Sequence, residues 1–438
     1  MGGKALLLVT IGFAFILGLV AVNLTEKATQ SIGNMSFYAA ATESHNLTIT
    51  GANVGLARLY QDTSWSGSIT QSFPGTGGEN EGQMGNLSGS FTATLTRPGA
   101  TTALLRSVST YQTHSNKTLN DTVEVFFDTK RYNSFTLYAW MTDFEGNHFW
   151  ISGDTIWGRA HTNGRFHING RPVFMDKVTT AKGFDPKPGT GTNDAEFRNG
   201  YETGTASIDF PNNFQELIDA TDPSLGGTGR FFNTDIWVSL SGGSSASNDG
   251  WAYIRLANGG PVVDSIQLNG SGFNGALVGA HQVHVEGTLD GALTVGSLED
   301  IRIENDVIYE NRDYANSDDV LGMVSQGDII VANTTPNQND CRIDGSVFCL
   351  TGSFEVEDYN HGSPRGALRL AGSIVQDDRG NLASYSGGEL RSGYYKRFYY
   401  DERLADTNFR PPFFPGYWVR TFAIVNWWEN VRIPEIAE

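Results

Sequence analysis

Hydrophobic and polar positions change their pattern several times along this chain. Residues 5–22 (ALLLVTIGFAFILGLVAV) are almost wholly apolar, and no charge lies between Lys4 and Glu26. Such a run predicts a helix long enough to span, or nearly span, a bilayer. From Ala28 a sparser stripe (Ala28, Ile32, Met35, Ala39, Thr42, Asn46, Ile49, Asn53, Leu56, Tyr60) steps by threes and fours, and the first proline is Pro74. The helix is therefore expected to run on to about Tyr60, roughly 85 Å at 1.5 Å per residue. The stripe is poor in large aliphatics, so its packing partner is expected to come close or to be partly polar.

After a Gly- and Ser-rich stretch (64–89) the period becomes two: Phe91, Ala93, Leu95; Val123, Val125, Phe127; Phe135, Leu137, Ala139, Met141. Beta-branched and aromatic residues at that period predict half-buried strands of a small antiparallel sheet. Beyond Asp154 the strands shorten and Gly or Asn separates them, as in HQVHVEGTLDGALTVGSLEDIRIE (281–304) and DVLGMVSQGDIIVAN (319–333). A coil that buries an apolar interior must turn every few residues, so these read as rungs of a β-solenoid, with a large β-sandwich as the rival. FPNNFQELIDA (210–220) is the expected short helix, with Asn213 as a candidate cap. The resulting fold class is α+β, mostly β. The expected parts are an N-terminal helix over 1–62 (apolar over 5–22), an antiparallel β domain over 63–152, a solenoid-like domain over 153–393 with an insertion at about 184–275, and an aromatic tail over 394–438.

Composition sharpens this in three places. The chain of 438 residues has 48 Asp plus Glu against 30 Lys plus Arg, a net charge of −18, so a nucleic-acid partner is not expected. The only cysteines are Cys341 and Cys349, flanking RIDGSVF; with that segment read as a turn in an oxidising exterior, they are expected to form a local disulfide. Aromatic residues crowd the tail, and Arg410, Tyr417, Trp418, Trp427 and Trp428 are candidates for contact with another subunit. Charge before the apolar run places the rest of the chain outside the cytoplasm.

GGKALLLVTIGFAFILGLV, followed by FYAAATESHNLTITGANVGLARLY, resembles the amino-terminal helix of type IV pilin-like proteins, especially large minor pilins; RPPFFPGYWVRTFAIVNWWE is more weakly similar to their carboxyl-terminal part. The resemblance implies a leader removed after a glycine and a helix that bundles with its copies into a filament core. It also implies a sheet packed on the exported half of that helix. Members usually carry a glutamate five residues into the mature chain; here that position is Ala5 or Leu8, according to whether the mature chain starts at Met1 or after Gly3. The implied assembly positions are Leu6, Leu7, Leu8, Ile11, Phe13, Phe15, Ile16, Leu17, Leu19, Val20, Ile32 and Met35. Implied partners are copies of the chain itself and an inner-membrane pilus assembly machinery, with a surface glycan as a further one. The implied location is a cell-surface filament, membrane-anchored before assembly.

Catalytic chemistry finds little footing. H-E-x-x-H, G-x-S-x-G and Walker A motifs are absent. Gly270, Gly272 and Gly275 match G-x-G-x-x-G but lead into strand-like sequence where a dinucleotide site needs a helix. Asn233-Thr234-Asp235 is similar to a polygalacturonase triplet, but the carboxylate pair Asp318-Asp319 follows much too late and Asn360-His361-Gly362 only approximates the companion motif. No catalytic, cofactor or metal residue is therefore expected. His161, His167, His281 and His284 read as ordinary histidines, and calcium on Asp-rich turns would be structural and is selected by no motif. Sequons at Asn86, Asn116 and Asn120 are candidate glycosylation sites. The expected function is a structural subunit of a pilus-like filament; the alternative is a membrane-anchored or tip-located adhesin that binds glycan, and less so a polysaccharide hydrolase.

Overall fold

The computed structural model describes residues 2–62, 65–73, 89–99, 101–113, 117–243, 250–270, 272–314, 316–386, 389–406 and 408–430. The architecture is α+β and mostly β, with one long helix, α1 (Gly2–Gln61). The chain forms two compact units, Met1–Arg131 with Val419–Glu438, and Tyr132–Trp418. The second unit thus begins at Tyr132 rather than at about residue 153.

In the first unit, strands β1 (Gly67–Phe73), β2 (Gly89–Thr96), β3 (Thr102–Gln112) and β4 (Thr118–Ser134) form an antiparallel meander, and the strand Gly416–Asn430 joins the β4 edge. Phe91, Ala93, Leu95, Val123, Val125 and Phe127 all point to the buried face, as period two requires. The third set of alternating residues belongs elsewhere. Phe135–Leu137 is a short 3-10 turn capped by Ser134, and Trp140–Phe144 is a strand of the second unit.

Helix α1 packs on this sheet through a face offset from the expected stripe, with Ile49 and Leu56 of that stripe packing at its edge. Its buried positions are Ala40, Ser44, Leu47, Thr48, Gly51, Ala52, Gly55 and Leu59, whereas Thr42, Asn46, Asn53 and Tyr60 face outward. The offset has a steric cause. A Cβ on Gly51 would stand 2.7 Å from the Phe91 ring, and one on Gly55 would stand 2.7 Å from Leu105 Cδ1. Small residues therefore win the contact face because the sheet approaches the helix backbone. The seam is also partly polar: Ser44 Oγ and Thr48 Oγ1 meet Ser109 Oγ at 2.9 and 2.7 Å, so these buried hydroxyls are partnered.

The second unit is a stack of parallel strands around an apolar interior. Ile236, Val283, Ile301, Ile329 and Phe354 occupy one register position on five paired strands, and Val238, Val285, Ile303, Val331 and Val356 the position two residues on. All ten are buried. A second ladder runs Leu277, Val295, Met323, Val347, Ile374, Trp140, Ala160, Val178. Its order departs from the chain order at one point: Trp140–Phe144 pairs beside Pro364–Asp378, so rungs from residues 140–203 continue the stack where the C-terminal rungs end. Residues 184–275 are accordingly not a simple insertion. Tyr201–Thr203 and Arg230–Phe232 are ladder strands, and the strands Ile236–Ser241, Trp251–Arg255 and Val262–Gln267 form an antiparallel meander on the stack. The short helix is Gln215–Asp219, and Asn213 Oδ1 accepts from the Gln215 N–H at 3.1 Å.

The expected disulfide does not form. Cys341 and Cys349 are free thiols at the two ends of one strand, Cys341–Cys349, which pairs through its whole length with Pro364–Asp378. The Asp344-Gly345 pair that suggested a turn is instead a bend inside the ladder. Gly345 (φ 154°) stacks on Gly372 (φ 155°), and a Cβ on Gly372 would collide with the Gly345 carbonyl. At about 3.3 Å per residue, eight residues of strand hold the Cα atoms well beyond the roughly 7 Å limit for a bridge, even with that bend. Burial raises the pKa of both thiols and keeps them protonated.

Candidate assembly surface

The N-terminal half of α1 carries an apolar surface without a partner in the described chain. Leu6, Leu7, Leu8, Ile11, Phe13, Phe15, Ile16, Leu17, Leu19 and Val20 are all exposed, Phe13 at 65% and Leu17 at 59%. Burying these side chains on a partner is worth roughly 15–30 kcal/mol at about 1.5–3 kcal/mol each, before the entropy of ordering is subtracted. The threonine hydroxyls on this half of the helix are already satisfied within it. Thr10, Thr25 and Thr29 each donate their hydroxyl to the carbonyl four residues back, all at 2.8 Å. The helix therefore presents no unpaired hydroxyl to an apolar surrounding at these positions.

The exposed apolar face does not stop where a membrane span would. The helix is long and apolar enough to cross a bilayer, yet Ile32, Met35 and Tyr38 are also exposed, beyond the charged pair Glu26 and Lys27. Leu6 to Tyr38 covers roughly 48 Å of helix, against a hydrocarbon core of about 30 Å. Ile32, Met35 and Tyr38 lie three apart and share one side of the helix. A bare membrane anchor has no use for that extension.

The C-terminal candidates separate by strand alternation. Tyr417 is buried in the second unit, its ring 4.9 Å from that of Phe135 and its hydroxyl 3.3 Å from Tyr138 Oη, so it is a core residue rather than a contact. Trp427 is likewise packed against the core of the first unit, and its indole N–H donates to Glu429 at 2.8 Å. Trp418 and Trp428, of opposite parity, stay outward at 58% and 68% exposure. Arg410 places its guanidinium 5.3 Å from the Tyr132 ring centroid, and Trp418 meets the same ring edge-on at 5.2 Å.

Asn120 is exposed on β4, while Asn86 and Asn116 lie outside the described residues. Among the described residues no group of three or more His, Cys, Asp or Glu is arranged to hold a metal ion. The histidines have other partners: His161 with Thr179 and Asn163, His167 with Asp185, His281 with Glu299, and His284 with Glu304. Asp235 accepts from the Gln282 N–H, and Asp319 from those of Gly291 and Asn311, so both carboxylates are bonded to backbone of other segments. Gly270, Gly272 and Gly275 lead into the strand Ala276–Gly279.

Sequence reasoning missed a buried ionic centre in the second unit. Glu145 accepts from Trp140 Nε1 (3.0 Å), Trp150 Nε1 (3.2 Å), Thr142 Oγ1 (2.6 Å) and Arg379 Nη1 (2.7 Å). The Arg379 guanidinium also lies over the Trp150 ring, 4.2 Å from its centroid. The residues are 234 apart in the chain, and only the pairing of Trp140–Phe144 with Pro364–Asp378 brings them together.

The fold defines an α+β class with a long, half-bare N-terminal helix, a small antiparallel sheet and a parallel-stranded second unit. No family model and no curated protein sequence matches the chain. Among solved structures, it is similar to the crystal structure of the competence-associated pilin ComZ from Thermus thermophilus, with 12% identity, 89% of this chain and 97% of that chain covered, and a TM-score of 0.36. A superposition that loose leaves the helix surface itself as the guide to function.

Proposed function

We propose that this chain is a structural subunit of an extracellular, type IV pilus-like filament, membrane-anchored before assembly and polymerised through the N-terminal half of α1. The observation that carries this reading is the unpartnered apolar face that runs past bilayer length to Ile32, Met35 and Tyr38. In a filament, copies of the helix bundle laterally, and the buried area of residues 6–35 supplies the association energy. The partners are other copies of the chain and the membrane machinery that extracts and adds subunits. No chemical reaction belongs to this role.

Met35→Cys provides a direct test, since both native thiols are buried and protonated. Oxidation of membranes or surface material that contain the variant is expected to yield dimers of the chain linked through residue 35. Cross-linking no greater than for Tyr60→Cys, which sits beyond the proposed bundle, sinks the reading.

A further inference from the structure

The outward side of three adjacent parallel strands, Cys341–Cys349, Pro364–Asp378 and Glu389–Tyr399, carries a pattern that assembly does not use. Their register sets Arg342, Arg369 and Arg397 side by side, and Asp344, Ala371 and Tyr399 side by side two positions on. The alternate residues Ile343, Leu370 and Phe398 point into the core, so the arginines and Tyr399 face away from it. Like charges in register on neighbouring strands, about 4.8 Å apart, repel one another unless something offsets them.

The offset is incomplete. Arg342 Nε holds Asp344 at 3.1 Å, and Arg369 Nη1 holds Asp340 at 2.7 Å. The guanidinium of Arg397 bonds to the Lys396 carbonyl at 3.0 Å and has no carboxylate within ion-pair distance among the described residues. Beside this ladder lies a cavity of about 680 Å³ walled by Tyr314, Arg342, Asp344, Arg369, Tyr399 and Arg403. Arg403 is a fixed wall: it grips Asp401 through Nε and Nη2 and donates to the Ser317 carbonyl at 2.7 Å. Tyr399 is exposed and stacks on Trp157, with centroids 6.3 Å apart and planes at 21°.

We infer that this groove binds an oligosaccharide that contains uronic acid. Guanidinium groups take a carboxylate with charge-assisted, bidentate hydrogen bonds, and the guanidinium to spare is that of exposed Arg397, which stands outside the cavity wall beside the cavity-lining Arg369. Tyrosine faces cover the apolar C–H faces of a sugar ring. Glu402, exposed at the cavity wall, accepts from sugar hydroxyls, while Asp344 and Asp401 are buried and held by Arg342 and Arg403. The negative charge of Asp344, Asp401 and Glu402 along the cavity, in a chain of net charge −18, sets the groove against a phosphodiester chain, which carries an anion on every unit and few hydroxyls.

Calorimetric titration of the full chain in detergent tests this with oligogalacturonate, its fully methyl-esterified form, and oligothymidylate. The acid form is expected to bind at least about tenfold more tightly than the ester, the cost of losing charged hydrogen bonds. Arg369→Ala and Arg397→Ala should each weaken the acid form about tenfold and leave the ester unchanged. Arg171→Ala, a removal of positive charge at an exposed arginine paired with Glu196, should have no effect. Equal binding of acid and ester, no binding of either, tighter binding of oligothymidylate, or an equal loss in Arg171→Ala overturns the inference.

Discussion

Phe13→Asp or Leu17→Asp is expected to abolish filaments while both compact units stay folded. Each side chain is mostly exposed in the single chain, so the substitution removes no intramolecular packing. In the assembled bundle it would place a carboxylate among apolar helices. An unpaired charge in such surroundings costs several kcal/mol per subunit, and the penalty recurs with every copy added. Electron microscopy of sheared surface material should show no fibres from either variant, with the near-ultraviolet circular dichroism of the chain unchanged. Fibres of normal abundance from both variants would contradict the proposed role of the helix.

The second large effect concerns the stability of the second unit. Arg379→Met should destabilise it by about 3–5 kcal/mol, because Glu145 would stay buried without its cation. Both partners are almost fully enclosed, with side-chain exposures of 5% and 1%, so solvent cannot take over the charge. Adding Glu145→Gln to the same chain should recover part of the loss, since a glutamine still offers an oxygen to the donors of Trp140 and Thr142, which share one carboxylate oxygen, while carrying no charge. Urea denaturation followed by tryptophan fluorescence reads this directly, as Trp140 and Trp150 are both hydrogen-bonded to Glu145. Equal stability of the wild-type chain and Arg379→Met would refute the reading of this centre as a high-stakes contact.

What the sequence made legible follows from where the information lies. Helix α1 was readable because a charge-free apolar run over 5–25, continued without proline to Gln61, is a local property, and so were the inward rows of β2 and β4. The centre of the contact face of α1 was not, because hydrophobicity marks Ile49 and Leu56, which pack at its edge, whereas the close approach of Phe91 and Leu105 selects Gly51 and Gly55. The short strands after Asp154 were legible as strands, but their order was hidden. Pairing of Trp140–Phe144 with Pro364–Asp378 spans more than half the chain, and no local spacing records it. The disulfide expectation failed for a related reason: Asp344-Gly345 reads as a turn when alone and becomes a bend when Gly372 stacks on it. In the tail, the aromatic count could not separate Tyr417 from Trp418, which alternation in one strand sends to opposite sides.

For the assembly surface itself, the apolar residues from Leu6 to Val20 were visible from composition, and their lack of intramolecular partners is what the structure adds. The uronate groove had no sequence signature at all. Arg342, Arg369 and Arg397 are separated by 27 and 28 residues and become neighbours only through the ladder register.

Electron cryomicroscopy of the purified full chain after detergent removal tests the central claim most directly. The account predicts fibres with a core of bundled α1 helices, in which residues 6–35 of each copy contact neighbouring copies and both β-rich units lie outside that core. Dispersed single particles, or fibres whose contacts leave residues 6–35 unburied by other copies, would contradict it.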